Sequence, residues 1–329
     1  MPKRLWYFKA LCLLTMLLGF VNSGQTQTQE QPWPTKPIRL INPFAPGGFG
    51  DAVARPLWDQ LGRALGQPIL VESQAGANGT LASSVVARAV ADGYTLLIAN
   101  LGPIAINPAL RPQTSGDPLK EFVAITQVVS GPLVLVVHAE FPAQDLKEFI
   151  RYAKANPAKL TYGSVGHGST THLAGELLNL RADLDLLQVP YKGAAPVIVN
   201  LMGKQIDLGF INISIARSHV ETGQLRALAV TTLARATILP DVPAMAELLP
   251  GFEVNPWFGL MAPFGTPKAI IERLAVEIKT LLKTPEISAR FRQNGLEPEG
   301  TTPQEFEQRV IADIAKWKEL VQTNHIKPE

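Results

Sequence analysis

The sequence of 329 residues predicts an α/β fold built as two lobes. Short apolar runs alternate with amphipathic stretches along the chain, those runs are continuous rather than polar-alternating, and a second such series begins near Leu133. Continuous apolar strands are expected where helices cover both faces of a parallel sheet, and a strand–helix–strand rhythm defines the α/β class. About 300 residues follow the first two dozen, more than a single core usually fills, which favours two lobes.

Taken in order, "PIRLINPF" (37–44) reads as a strand, followed by a Pro-Gly-Gly turn and the helix "DAVARPLWDQLGRAL". "PILVES" is the next strand and "GTLASSVVARAV" the next helix, before the strands "YTLLIAN", "FVAITQVV" and "PLVLVVHA". The second series runs from the helix "DLKEFIRYAKAN" through the strand "LTYGS", the helix "STTHLAGELLNL" and the strand "LLQVPY". A short helix over 197–202, the strand "IDLGFI", another short helix and the strand "LRALAVTT" complete it. The rest reads as helix, at 267–282, 286–294 and 303–323. In the last of these Phe306, Val310, Ile314, Trp317 and Val321 form one apolar stripe. The expected division is a discontinuous first lobe of 33–130 and 230–329 and a second lobe of 131–229. Two crossings would make a hinge, with a ligand cleft between the lobes.

Residues 1–24 read as a secretory signal. Lys3 and Arg4 precede an apolar stretch from Ala10 to Val21, and Asn22, Ser23 and Gly24 follow. That stretch is shorter than the roughly 20 apolar residues that span a bilayer. Cys12, the only cysteine, lies within it, so an exported chain would carry no thiol. Disulfides, thiolate metal sites and a cysteine nucleophile are thereby excluded, in keeping with an oxidising compartment such as the periplasm. Without Lys3, Arg4 and Lys9 the formal charge falls from +2 to −1. No basic run exists to displace counterions, which argues against nucleic acid as a partner.

The densest concentration of reactive residue types is "YGSVGHGSTTHLAGELL" (162–178). Neither Ser164 nor Ser169 has the flanking glycines of a nucleophile elbow, so no catalytic residue is assigned. A serine hydrolase remains only the remote alternative. His172 and Glu176 share a helix face at i, i+4, but no spacing supplies the three or four ligands of a zinc site, and neither metal nor cofactor is expected. What remains is a glycine turn leading into a helix that Ser169 or Thr170 can cap. Its first-turn N–H groups favour an anion. "INPFAPGGFGDAVARPL" repeats the design: Gly47 and Gly48 allow the backbone close to a ligand, and Asp51 can cap the helix or orient a bound group. In "QAGANGTLASS", Asn78 precedes a helix. Asn100 and Asn212 stand at strand ends that open onto a cleft. None of these loops carries arginine, which suits a small carboxylate better than a phosphate.

The chain resembles the Bug proteins, periplasmic solute receptors of tripartite tricarboxylate transporters. The resemblance rests on "KPIRLINPFAPGGFGDAVAR", "VESQAGANGTLASSVVARAVADGYTLL", "NPAL", "LTYGSVGHGSTTHLAGELL", "VPYKGAAP", "LRALAVTTLARATILPDVPAMAE" and "WFGLMAPFGTP", in family order. It implies a type II periplasmic binding-protein fold, a monomer that closes on a small carboxylate, whether dicarboxylate, amino acid or aromatic acid, and delivery to membrane permease subunits. A ligand sensor for a regulatory partner is the alternative role. Carried over residue by residue, Phe44, Gly47, Gly48 and Asp51 match the first-lobe loop, and Asn78 and Asn100 its neighbours. Ser164, Gly168, Ser169 and Thr170 match the second-lobe helix start, and Lys192 and Asn212 further second-lobe loops. The chain departs from the family's frequent "RPGAGG" with "SQAGANG", which implies a differently shaped loop around Asn78. Trp58, on a helix, is expected in the core.

Overall fold

The computed structural model describes residues 33–44, 54–113, 115–323 and 326. The export leader expected over 1–24 lies outside them, as do Gly47, Gly48 and Asp51. Both sheets belong to the compact unit Pro34–Glu329.

The first series comprises β1 (Ile38–Asn42), α1 (Arg55–Leu65), β2 (Ile69–Ser73), α2 (Thr80–Ala87), β3 (Thr95–Asn100), the short helices α3 (Asn107–Leu110) and α4 (Pro118–Glu121), and β4 (Phe122–Ser130). The second comprises β5 (Leu133–His138), α5 (Leu146–Lys154), β6 (Thr161–Ser164), α6 (Thr170–Ala182), β7 (Leu187–Pro190), α7 (Ala194–Met202), β8 (Leu208–Asn212), α8 (Ile213–Glu221) and β9 (Leu225–Val230). The chain then returns as β10 (Trp257–Pro263), α9 (Lys268–Leu282), α10 (Pro285–Gln293), β11 (Glu297–Pro298) and α11 (Pro303–Thr323).

The strands form two sheets, ordered β11-β4-β10-β3-β1-β2 and β7-β6-β8-β5-β9. The chain passes from the first sheet to the second between Ser130 and Leu133, and back between Val230 and Trp257. Thr231 ties the two crossings together. Its hydroxyl donates to the Val254 carbonyl (2.6 Å) and accepts from the Leu133 N–H (2.9 Å). Gly131 N–H adds a bond to the Pro256 carbonyl at 3.0 Å.

The α/β class holds, but the sheets are mixed rather than parallel. Strand β10 runs antiparallel to β3 and β4, and β5 antiparallel to β8 and β9. The reason lies in connectivity: β5 and β10 each enter their sheet from the other one, without the helical crossover that makes neighbours parallel. Continuous apolar runs report burial on both faces and do not encode direction. The sequence reading also misses β10 itself and the short helical segments at 102–110, all within stretches assigned no element.

Local signals explain most of the remaining elements. Asp145 caps α5 by accepting the Glu148 N–H at 2.8 Å, while Glu148 reaches back to the Gln144 N–H at 2.9 Å. At the start of α11 the exchange is reciprocal: the Glu305 carboxylate accepts the Thr302 N–H and the Thr302 hydroxyl accepts the Glu305 N–H. Trp58 is buried, as expected. One apolar core takes in Ile41, Leu97, Leu135, Tyr162, Leu178, Phe210, Trp257 and Trp317 from both sheets and their helices. Of the α11 stripe, Phe306, Val310, Trp317 and Val321 are buried and Ile314 packs partly buried against them. Asp313 joins that face because its carboxylate accepts the Trp257 indole N–H at 2.7 Å.

Candidate functional site

In the first sheet β1, β2 and β3 run parallel, so Asn42, Ser73 and Asn100 share one edge. Asn42 is fully buried. Its side-chain oxygen accepts the Phe44 N–H at 3.3 Å and its carbonyl accepts the Gln74 N–H at 2.8 Å. The first bond turns the chain off the end of β1, and the second continues the parallel pairing of β1 with β2. The Phe44 ring meets Phe258 edge-on, centroids 5.8 Å apart, and Phe258 is the register partner of Asn100. The side-chain oxygen of Asn100 is buried and has no hydrogen-bond partner among the described residues, an available acceptor at the sheet edge where α/β folds bind ligands.

Asn78 occupies the left-handed region (φ 51°, ψ 40°) in the turn before α2, a conformation asparagine tolerates better than most residues. Its side-chain amide donates to the carbonyl of Gly168, 2.8 Å away, and to Asn107 Oδ1 at 3.1 Å. Asn107, only 4% exposed, donates in turn to the Asn78 carbonyl at 3.4 Å and to Thr80 Oγ1 at 3.0 Å. Both donor hydrogens of Asn78 are thus committed within the protein.

On the second sheet β6, β7 and β8 run parallel, which brings Ser164, Pro190 and Asn212 to one edge. Ser164 is fully buried. Its hydroxyl accepts from Gln188 Nε2 at 2.7 Å and from the Gly166 N–H at 3.3 Å, and neither partner is a base. Ser169, not Thr170, is the N-cap of α6. Its hydroxyl accepts the His172 N–H at 3.2 Å and donates to the Gly166 carbonyl at 2.6 Å. The N–H groups of Thr170 and Thr171 find no acceptor among the described residues. They stand at the positive end of a 13-residue helix and are the donors it offers an anion.

The loop beneath them is held by His172, which the sequence suggests as a satisfied residue at the helix start rather than as half a metal site. His172 is 2% exposed and its Nδ1 accepts the Gly168 N–H at 3.2 Å. The ring lies against that of His167, centroids 4.3 Å apart. Burial, and then the charge of His167, pull the His172 pKa down to about 3, so the ring is neutral and free to accept. Tyr162 donates to Glu176 at 2.6 Å beside it, and burial foremost holds the tyrosine hydroxyl above its ordinary pKa. Among the described residues no group of three metal-ligating side chains occurs.

The sequence-predicted residues therefore fall into three sets. Asn78 and Gly168 are in direct contact across the two sheets, and Ser164, Ser169 and Thr170 surround the same loop. Phe44 and Asn100 stand at the first sheet's edge, joined through Phe258. Lys192, exposed in the turn after β7, and Asn212, at the end of β8 with no side-chain cap to α8, share the second sheet's edge without bonding to the Asn78 cluster. Asn107, Phe258 and Gln188 are the residues the sequence reading misses. Asn107 opens the quoted "NPAL" and Phe258 lies within "WFGLMAP", so both were present as motif letters without a role. A cavity of about 810 Å³, lined by Val123, Ile271, Ala275, Val276 and Pro303 among others, lies at the opposite edge of the first sheet, where Val123 pairs with Ala262.

The chain resembles known proteins over nearly its whole length. The family described as the tripartite tricarboxylate transporter family receptor matches residues 53–326. The structure of the periplasmic binding protein BugD superposes with a TM-score of 0.82 at 34% identity, covering 90% of this chain and 100% of that one. An R. palustris protein solved with adipate gives 0.84 at 34%, covering 90% and 100%. MatC from Rhodopseudomonas palustris, with bound malate, gives 0.80 at 33%, covering 88% and 100%. The chain thus belongs to the tripartite tricarboxylate transporter family of receptors, the Bug-type solute-binding proteins, and shares their two-sheet α/β fold.

Proposed function

We propose that this protein captures a small carboxylate in the cleft between two lobes, 33–130 with 230–329 and 131–229, and delivers it to a permease of the tripartite type. The observation that carries this reading is the start of α6. Two backbone N–H groups without acceptors among the described residues, at Thr170 and Thr171, stand at a helix N-terminus beside a direct contact between the loops that precede α2 and α6. Backbone donors at such a terminus bind carboxylate without a cationic side chain. The first sheet would supply the opposing wall through Phe44, Phe258 and Asn100, together with the loop that contains Gly47, Gly48 and Asp51.

Adipate and malate, bound by the two similar receptors, are the first candidates. The free acceptor of Asn100 favours a ligand that also bears a hydroxyl or ammonium donor, since an unpaired buried acceptor costs about 1–3 kcal/mol. With its hydroxyl bonded to Gln188 and Gly166, Ser164 serves the loop's shape rather than chemistry. Capture in the periplasm after removal of residues 1–24 completes the reading.

The test is a thermal-shift and calorimetric screen of the mature protein against dicarboxylates, hydroxydicarboxylates, amino acids and aromatic acids. A cognate acid at about 100 times its Kd adds roughly 2.7 kcal/mol of stability. If none of these acids raises the melting temperature, the receptor reading fails. Co-purification with a multi-span permease subunit tests delivery separately.

A further inference from the structure

We propose that Asn78, held in position by Asn107, is a latch that closes the cleft before any ligand arrives. The bond from Asn78 to the Gly168 carbonyl joins residues 90 apart. One partner precedes α2 on the first sheet and the other precedes α6 on the second. A hinge motion that opens the cleft has to break it, so it exists only in the closed arrangement and shifts the equilibrium toward closure.

Three independent features build the latch. Asn78 holds a left-handed backbone, which aims its side chain along a path a right-handed residue would not take. Asn107 accepts one amide hydrogen of Asn78 and donates to its carbonyl, leaving the other hydrogen fixed on Gly168. Gly168 is itself shaped for the approach: at φ +75° it suits glycine, and a Cβ there would sit 3.2 Å from both Asn107 Oδ1 and Leu110 Cδ1. Any larger residue would press the two sides apart. On the far side of the loop His172 accepts the Gly168 N–H, so this glycine is held at both its N–H and its carbonyl.

Asn107 is therefore a positioning residue that acts through Asn78. Because Asn78 spends both its hydrogens on protein acceptors, its part is played in closure rather than in donating to a carboxylate. The link to ligand affinity rests on the receptor reading above, but the latch does not.

The experiment is small-angle X-ray scattering of the ligand-free mature protein, comparing the wild type with Asn78→Gly and Asn107→Ala. Asn78→Gly keeps the left-handed backbone and removes the bridge together with the amide bond to Asn107, and a cooperative thermal transition confirms that it folds. The wild type is expected to scatter as the closed arrangement, and both variants as a more extended one with a larger radius of gyration. An open ligand-free wild type, or an Asn78→Gly curve superimposable on the wild type, overturns the proposal. The wild-type curve alone decides if a variant does not fold. With adipate or malate as probe, dissociation from Asn78→Gly should quicken about two- to tenfold, the worth of one net hydrogen bond. Failure of every acid to bind would count against the receptor reading and leave the scattering result to stand by itself.

Discussion

The Gly168 N–H donates to Nδ1 of His172, 3.2 Å away, and this bond requires the imidazole to be neutral. The ring is 2% exposed, and its pKa falls from an ordinary 6.5 to about 3. A depressed pKa means that the unfolded chain takes up a proton before the folded one does. The stability it confers is full above pH 6.5 and is lost as pH falls from 6.5 toward 3. The slope approaches ~1.4 kcal/mol per pH unit within that window. Denaturation midpoints measured from pH 7 to pH 4 should fall accordingly. His172→Asn, which keeps an acceptor near Nδ1 but does not titrate there, should flatten the part due to this residue; an equally steep profile in the variant would refute it.

Thr170→Pro, compared with Thr170→Val as the side-chain control, separates backbone from side chain at the start of α6. Thr170 is the first helical residue, where proline fits well, and Ser169 already has the extended backbone a following proline needs (φ −75°, ψ 161°). The substitution deletes one N–H and should leave the melting temperature nearly unchanged. Loss of a hydrogen bond to a charged group is worth about 1.5–3 kcal/mol, so carboxylate affinity by calorimetry should drop roughly 10- to 100-fold. Unaltered affinity would remove this N–H from the site.

Gly175 reverses a common expectation. Glycine inside a helix usually gains about 1 kcal/mol on replacement by alanine. Here a Cβ would collide with the ring of Tyr162, which is fully buried and tied to Glu176. Overpacking of that kind costs about 1–3 kcal/mol, so Gly175→Ala should destabilise. A raised melting temperature would show that β6 and α6 can separate to accommodate it.

Asp313 satisfies two groups at once, the Trp257 indole at 2.7 Å and Arg309 Nε at 2.8 Å. It is 5% exposed. Asp313→Ala leaves a buried indole N–H without an acceptor and a guanidinium without its partner, at a cost of about 3 kcal/mol. The urea midpoint should fall well below that of Arg309→Ala, which removes only the more exposed partner. Equal midpoints would mean that the indole bond contributes little.

Much of the fold was legible because it is written locally. The strands of both series, the helix starts at Asp145, Ser169 and Thr302 and the stripe of Phe306, Val310, Trp317 and Val321 depend on neighbours within a few residues. Strand β10 went unread because "WFGLMAP" lies in a long segment without the strand–helix rhythm that marked the others. Asp313 falls on the apolar stripe of α11 between Val310 and Trp317, and a carboxylate is accommodated there because Trp257, 56 residues away, presents an N–H to it.

The same boundary runs through the candidate site. By itself the sequence determined the α/β class, the second strand–helix series and the glycine turn ahead of the Ser169-capped helix, since spacing and turn chemistry act over one or two turns of chain. Only the tertiary structure decided the antiparallel entry of β5 and β10, the burial of Ser164 and His172 within the loop, and the pairing of Asn78 with Gly168. Those outcomes depend on which groups distant in sequence must satisfy one another's hydrogen bonds once water is excluded, and no local pattern records the partner.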